Sequence, residues 1–227
     1  MTAGPRVLVC DDEPQILRAL RVILRDAGYE VATAATAQEA LDAVAVKPPD
    51  AAILDLVLPD GDGVEVCRSI RGWSELPIII LSAVGEEAEK VRALEAGADD
   101  YVTKPFGPGE LVARLKAALR RAGTATADEP VLRADGLELD QPGHRVTVGG
   151  DAVHLTPTEF ELLRTLMRNR GRLMTHRNLL VEVWGVEYED DLQVLRAHVA
   201  NLRRKIEPEG EHVFIRTDPG VGYRFAA

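Results

Sequence analysis

Cysteine is scarce in this chain. Its two residues, Cys10 and Cys67, exclude a disulfide framework and a four-cysteine zinc site. Positive charge is in deficit as well. With 27 Lys+Arg against 37 Asp+Glu, the formal net charge is −10. That excludes a generic basic coat for nucleic acid or membrane, so any such binding needs a local patch. Long apolar runs are missing. The longest are of strand length, which excludes a transmembrane helix. The opening residues reach a short apolar run that Asp11-Asp12-Glu13 stops, too early for a secretory leader. A reducing cytoplasm is the expected compartment, with no membrane partner. The five histidines lack metal-ligand spacing, and no internal repeat is visible. Ordinary globular composition remains, and 227 residues are enough for two domains.

The first half alternates strand and helix signals. Apolar runs at Val7–Cys10, Glu30–Ala34, Ala51–Leu54, Pro77–Leu81 and Tyr101–Thr103 read as strands. Helical spacing appears over Ile16–Arg25, Ala37–Val46, Val64–Arg71, Glu86–Glu95 and Glu110–Arg121. Five strands alternating with five helices imply a doubly wound α/β domain with a five-stranded parallel sheet covered on both faces. Ligands of such sheets collect beyond the carboxyl ends of the strands.

Five chemically active residues fall at those ends: Asp11 and Asp12 after the first strand, Asp55 after the third, Ser82 closing the fourth, and Lys104 after the fifth. Converging carboxylates repel one another unless a cation intervenes. An all-oxygen ligand set suits Mg²⁺. Lys104 offers positive charge to an incoming phosphoryl group and Ser82 offers a hydroxyl. The implied chemistry is phosphoryl transfer onto a carboxylate.

Residues 1–121 resemble the receiver domain of two-component response regulators, a flavodoxin-like fold. The resemblance rests on Val7–Pro14, Leu54–Gly63, Leu81-Ser82-Ala83 and Gly97–Phe106. It implies that Asp55 is the phosphoacceptor. It implies Asp12 as a direct Mg²⁺ ligand, Asp11 as a ligand through water, and the Val57 carbonyl as a further ligand. Lys104 is implied to contact the acyl phosphate, with a cis bond to Pro105. Ser82 and Tyr101 are implied to form the switch, Ser82 moving to the phosphate and Tyr101 rotating inward behind it. Val57 and Val84 flank the site, and neither apolar side chain can orient an attacking water. The expectation is slow self-dephosphorylation, with a half-life of hours.

Residues 122–130 are small, polar and pattern-free, and read as a linker. After it the pattern changes, with short strands at 137–140, 145–148 and 152–155. Helical spacing follows over Thr158–Asn169, Thr175–Trp184 and Asp191–Ile206, and a terminal hairpin closes the chain around Asp218-Pro219-Gly220. This describes a small α+β domain over 131–227. Residues 122–227 hold 13 Lys+Arg and 17 Asp+Glu, so the domain is not basic overall. Its last helix is. From Leu192 to Ile206 it carries Arg196, Arg203, Arg204 and Lys205 and no acid. Leu192, Leu195, Val199, Leu202 and Ile206 form its buried stripe. Val194, His198, Asn201 and Lys205 fall on another stripe, read as exposed and suited to a major groove.

This half resembles the winged-helix effector domain of the OmpR/PhoB family, through Leu155–Leu163, Val183-Trp184-Gly185, His198–Ile206 and Gly220–Phe225. The resemblance implies phosphate contacts by Trp184, His198, Arg203, Thr217 and Tyr223. Gln193, Arg196, Arg204, Lys205 and Arg216 are further DNA candidates. Asn201 stands where some members read bases with arginine, and asparagine prefers adenine. Pro219 stands where some carry a minor-groove arginine.

The family resemblance also implies a homodimer of phosphorylated receivers through Lys90, Glu95, Asp99, Asp100, Glu110, Arg114, Lys116 and Arg121. The expected pairs are Lys90–Glu110, Asp100–Arg114 and Asp99–Arg121. Its implied partners are a sensor histidine kinase, promoter DNA with two half-sites in direct repeat, and RNA polymerase. The protein is then not a turnover enzyme. It catalyses only its own phosphorylation and dephosphorylation. The segments Asp11–Leu20 and Leu155–Glu159 resemble the KdpE-like branch, which controls potassium uptake. Two other readings stand beside this one: an atypical regulator that binds DNA without phosphorylation, and a phosphatase with an aspartate nucleophile. The intact acidic site argues against the first, and the DNA-reading half against the second.

Overall fold

The computed structural model describes residues 4–83, 87–123, 130–207 and 214–226. The chain divides into two compact units, Met1–Ala122 and Gly123–Ala227. Most of the expected linker lies outside the described residues.

In the first unit the elements run β1 (Arg6–Cys10), α1 (Pro14–Asp26), β2 (Glu30–Ala34), α2 (Ala37–Val46), β3 (Ala51–Asp55), α3 (Gly63–Arg71), β4 (Ile78–Ser82), α4 (Glu87–Glu95), β5 (Asp100–Thr103) and α5 (Pro108–Gly123). The five strands form one parallel sheet in the order β2-β1-β3-β4-β5. Strand side chains alternate between faces, so each apolar run feeds two cores. Leu8, Cys10, Ala52, Leu54, Ile78 and Ile80 enter the core shared with α2 and α3. Val7, Val9, Ala51, Ile53, Ile79 and Leu81 enter the opposite core with α1 and α5. Burial on both faces is the reason these strands are apolar throughout. Both cysteines are buried and free. Burial pushes the Cys10 thiol up to about 12 and the Cys67 thiol up to about 11, so neither is a nucleophile at neutral pH. Trp73 is about half exposed beyond the end of α3.

Between β3 and α3 the chain makes a small hairpin, Val57–Leu58 against Gly61–Asp62. Its return to the sheet is close. A Cβ on Gly63 would stand 2.0 Å from the Asp55 carbonyl oxygen, so only glycine fits there.

The second unit opens with an antiparallel four-stranded sheet of β6 (Val131–Ala134), β7 (Leu137–Asp140), β8 (Arg145–Val148) and β9 (Asp151–Val153), ordered β9-β8-β7-β6. Helices α6 (Pro157–Arg168), α7 (His176–Val183) and α8 (Leu192–Ile206) follow. Thr156 and Glu159 cap α6 reciprocally, each satisfying a backbone N–H of the other. A three-stranded sheet completes the unit: β10 (Leu173–Thr175), β12 (Gly222–Phe225) and β11 (Ile215–Asp218), with β12 central. This is the expected winged-helix arrangement, with β6 and β10 added to the sequence reading. No helix among the described residues is long and apolar enough to cross a membrane.

Candidate functional site

The sheet order reverses direction between β1 and β3. Asp11 follows the first of these strands and Asp55 ends the second, so both carboxylates reach the crevice where such sheets bind ligands. One oxygen from each of Asp11, Asp12 and Asp55 lies within 4.8 Å of the others. Asp11 and Asp55 are buried and Asp12 is exposed. Lys104 crosses from the end of β5 and donates from Nζ to Asp11 Oδ2 (2.7 Å) and Asp55 Oδ2 (3.1 Å). The remaining oxygens accept backbone N–H groups, Glu13 to Asp11 Oδ1 (2.9 Å) and Leu56 to Asp55 Oδ1 (2.8 Å). The Lys104–Pro105 bond is cis. Three carboxylates against one ammonium leave net negative charge, and an all-oxygen cluster of this size suits a divalent cation.

Burial raises the Asp55 carboxyl above the ordinary carboxylate range. Lys104 pulls it back by hydrogen bond and charge, Asp11 adds to the rise, and the Leu56 N–H lowers it. Lys104 itself is held above the usual lysine range, because its bonds to Asp11 and Asp55 outweigh burial. A carboxyl raised in the folded state binds more protons there than in the unfolded chain. Ionised Asp55 therefore destabilises the fold. This cost is absent below the unfolded pKa of ~3.9 and develops as pH rises through the folded value. In metal-free buffer, Asp55→Asn should raise the Tm at pH 7, and the gain should vanish near pH 3.5. Thermal scans at the two pH values check this, and an equal shift at both would refute the assignment.

Ser82 and Tyr101 are buried side by side and their hydroxyls are hydrogen-bonded. Tyr101 is only 4% exposed. Val57, two residues after Asp55, is exposed, whereas Val84 lies outside the described residues.

The dimer-face residues divide. Glu95, Glu110 and Lys116 are exposed and Lys90 is half-buried. Asp99, Asp100 and Arg121 are buried. Asp99 turns inward to Arg71 (2.8 Å) and accepts the Ile78 N–H (2.9 Å). Arg114 pairs within the chain with Asp100 (3.2 Å) and Glu110 (3.0 Å). Asp99 just before β5 holds the neighbouring strand β4 and α3, and Asp100 at the start of β5 holds α5.

In the second unit α8 presents a different face from the one expected. Helix α8 packs on both α6 and α7, so two adjacent stripes are covered rather than one. Val194, His198 and Asn201 are buried, His198 with its ring 5.3 Å from that of Trp184. Lys205 is held by Glu159 (2.6 Å). Arg196, Ala200 and Arg204 are exposed, with Gln193 and Arg203 partly so. At 100° per residue these five share one arc, and this is the available face. Trp184 is fully buried, and its indole N–H has no hydrogen-bond partner among the described residues. Asn201 Oδ1 accepts from Arg204 (3.1 Å).

Arg203 ties α8 to the hairpin. Its Nη2 donates to the Ile215 carbonyl (2.6 Å) and to Thr217 Oγ1 (2.9 Å), and its guanidinium lies 5.7 Å from the Tyr223 ring centroid. Three residues expected at phosphates therefore meet at one place. Tyr223 is buried there, and Arg216 and Thr217 are exposed.

An acidic phosphoacceptor-type site on one unit and a helix with an exposed arginine face on the other define a two-domain response regulator. The comparisons agree. Residues 7–116 match the model of the response regulator receiver domain, and residues 150–225 that of the C-terminal domain of transcriptional regulatory proteins. The transcriptional regulatory protein KdpE of Mycobacterium tuberculosis is 51% identical over 223 residues, 97% of this chain and 99% of that protein. The KDP operon transcriptional regulatory protein KdpE of Escherichia coli is 46% identical, over 96% of this chain and 98% of that one. MtrA of Mycolicibacterium smegmatis, a DNA-binding response regulator, is 42% identical over 98% and 97%. Among solved structures, the Thermotoga maritima regulator DrrB matches with a TM-score of 0.53 at 32% identity, over 99% of this chain and all of that one. A RitR mutant matches with a TM-score of 0.78 at 26% identity, over 98% and 99%. The chain belongs to the OmpR/PhoB family of response regulators, on its KdpE-like branch.

Proposed function

We propose that this protein is a transcription regulator switched by phosphorylation of Asp55, which promotes receiver dimerisation and promoter binding. The observation that carries this is the Asp11–Asp12–Asp55 cluster bridged by Lys104. Asp11, Asp12, Asp55 and the Val57 carbonyl would hold Mg²⁺, whose bound charge would offset that of the incoming phosphoryl oxygens. An Asp55 oxygen attacks phosphorus of a phosphohistidine on a sensor kinase, or of a small phosphodonor. The new O–P bond forms as the N–P bond breaks, and the histidine nitrogen leaves with the electron pair and takes a proton. Lys104 offsets part of the phosphoryl group's charge of ~−1.5 to −2. Ser82 then exchanges its bond to Tyr101 for one to the phosphate. Hydrolysis back to Asp55 is slow, over hours, because Val57 cannot activate water.

Two receivers joined in this way tether two effector domains, and effective concentration raises affinity for two half-sites in direct repeat. Promoter fragments, a cognate histidine kinase and RNA polymerase are the partners of this reading. On DNA, Arg196 and Arg204 supply exposed charge, with Gln193, Arg216 and Thr217 beside them. Loss of one phosphate contact lowers the salt slope of binding by about one unit. Arg196→Ala should weaken binding to a promoter fragment roughly tenfold and flatten its salt dependence. Lys205→Ala, whose charge is already committed to Glu159, should stay within twofold. Salt-dependent anisotropy on both variants checks this. Equal losses would return Lys205 to the DNA face. The same titration with and without phosphodonor tests the switch itself, and identical affinities would favour phosphorylation-independent binding.

A further inference from the structure

We infer that Glu207 is a positioning residue for DNA binding: with Arg203 one helical turn before it, it grips Ile215 by both backbone groups and so fixes β11, which carries Arg216 and Thr217, against α8. This rests on the reading of α8 and the terminal hairpin as the DNA face.

Glu207 directly follows α8, where a carboxylate has no local reason to be. A helix C-terminus carries partial negative charge and favours a cation. Nearby DNA, an anion, disfavours a carboxylate again. Yet the Glu207 side chain is 2% exposed, and a buried carboxylate needs bonded partners. It finds them on the hairpin. Glu207 Oε1 accepts the backbone N–H of Phe214 (3.0 Å) and of Ile215 (2.7 Å). Arg203 Nη2 donates to the carbonyl of that same Ile215 (2.6 Å). Glu207 Oε2 and Arg203 Nε stand 3.7 Å apart, an ion pair across one turn of helix.

The grip meets a need of the strand. With β12 central, β11 is an edge strand, and its outer row of backbone groups meets no strand among the described residues. The N–H and C=O of one strand residue point the same way. A carboxylate and a guanidinium on successive turns of α8 therefore bond Ile215 as a neighbouring strand would. Such charge-assisted bonds are stronger than neutral ones. Arg216 and Thr217 come next on β11 and are exposed. Their distance from Arg196 and Arg204 on α8 is thus set at Ile215. Phosphate contacts fix a protein's register on the duplex, so contacts from two elements combine only when the elements are held in place.

The test is anisotropy of the full chain on a promoter fragment, at a temperature where every variant is folded, with each Tm measured in parallel. Glu207→Ala removes a negative charge near DNA, so charge alone would tighten binding. The positioning role requires the opposite sign. Glu207→Gln keeps an oxygen for the two N–H groups and loses only the charge toward Arg203. Thr156→Ala opens the cap of α6 and controls for lost stability. The expected result is a Kd raised about tenfold in Glu207→Ala, largely restored in Glu207→Gln and unmoved in Thr156→Ala. Equal or tighter binding by Glu207→Ala, equal losses in the Ala and Gln variants, or a parallel loss in Thr156→Ala would overturn the positioning role. If Arg196→Ala leaves the affinity unchanged, α8 is not the DNA face, and the reading beneath this inference fails with it.

Discussion

Asp55→Ala should reduce covalent labelling by a small phosphodonor to background, a loss of at least about a hundredfold, with the fold intact. The three carboxylates are not equivalent. Asp11 is fully buried, with Oδ1 on the Glu13 N–H and Oδ2 on Lys104. Asp12 is exposed and lies beyond the strand end. Asp55 alone combines a fixed place at the end of β3 with a carboxyl raised by burial. A raised pKa marks a more basic and more nucleophilic oxygen. Asp11→Asn should weaken labelling less, and excess Mg²⁺ should recover much of it, because a ligand is altered rather than the acceptor. Acid-stable or undiminished label in Asp55→Ala would place the acceptor elsewhere.

The second large effect belongs to Arg203. Arg203→Ala removes two charge-assisted donors from Ile215 and Thr217 and uncovers the Tyr223 ring. Hydrogen bonds to charged groups contribute about 1.5–3 kcal/mol each at partly buried positions. The expected outcome is a second-unit Tm lower by several degrees and promoter affinity lower by ~30-fold, more than for Arg204→Ala. Lysine should not rescue it. An ammonium cannot lie flat on the Tyr223 ring as the planar guanidinium does. Calorimetry and anisotropy on the Ala and Lys variants read both effects. A native Tm with weakened binding would make Arg203 a simple phosphate contact instead.

Much of the receiver was legible because its physics is local. Strands buried on both faces must be apolar throughout, and Val7–Cys10, Ala51–Leu54 and Ile78–Leu81 are. The residue after each run then marks the sheet edge, and in this way Asp11, Asp55, Ser82 and Lys104 converge. Long-range partners leave no such trace. Nothing near Asp60 signals that it caps a helix 22 residues earlier, and nothing near Asp99 signals Arg71. Helical spacing separated the stripes of α8 but not how many neighbours would cover them. Packing on both α6 and α7 buried the stripe of His198 and Asn201 and left that of Arg196 and Arg204 free. Strand β10 has three residues, too few for alternation. Its strand character comes from pairing Leu173–Thr175 with Gly222–Arg224. Gly222 permits that pairing, since a Cβ there would lie 1.9 Å from the Met174 carbonyl oxygen.

Phosphate on Asp55 should change the association state of the whole chain. Sedimentation velocity of the unmodified protein and of Asp55→Ala, each with and without beryllofluoride and Mg²⁺, tests it most directly. The expected result is conversion from monomer to dimer in the unmodified protein alone, at micromolar concentration. An unchanged sedimentation coefficient in the unmodified protein, or the same shift in Asp55→Ala, would contradict it and make the receiver a scaffold for DNA binding under some other control.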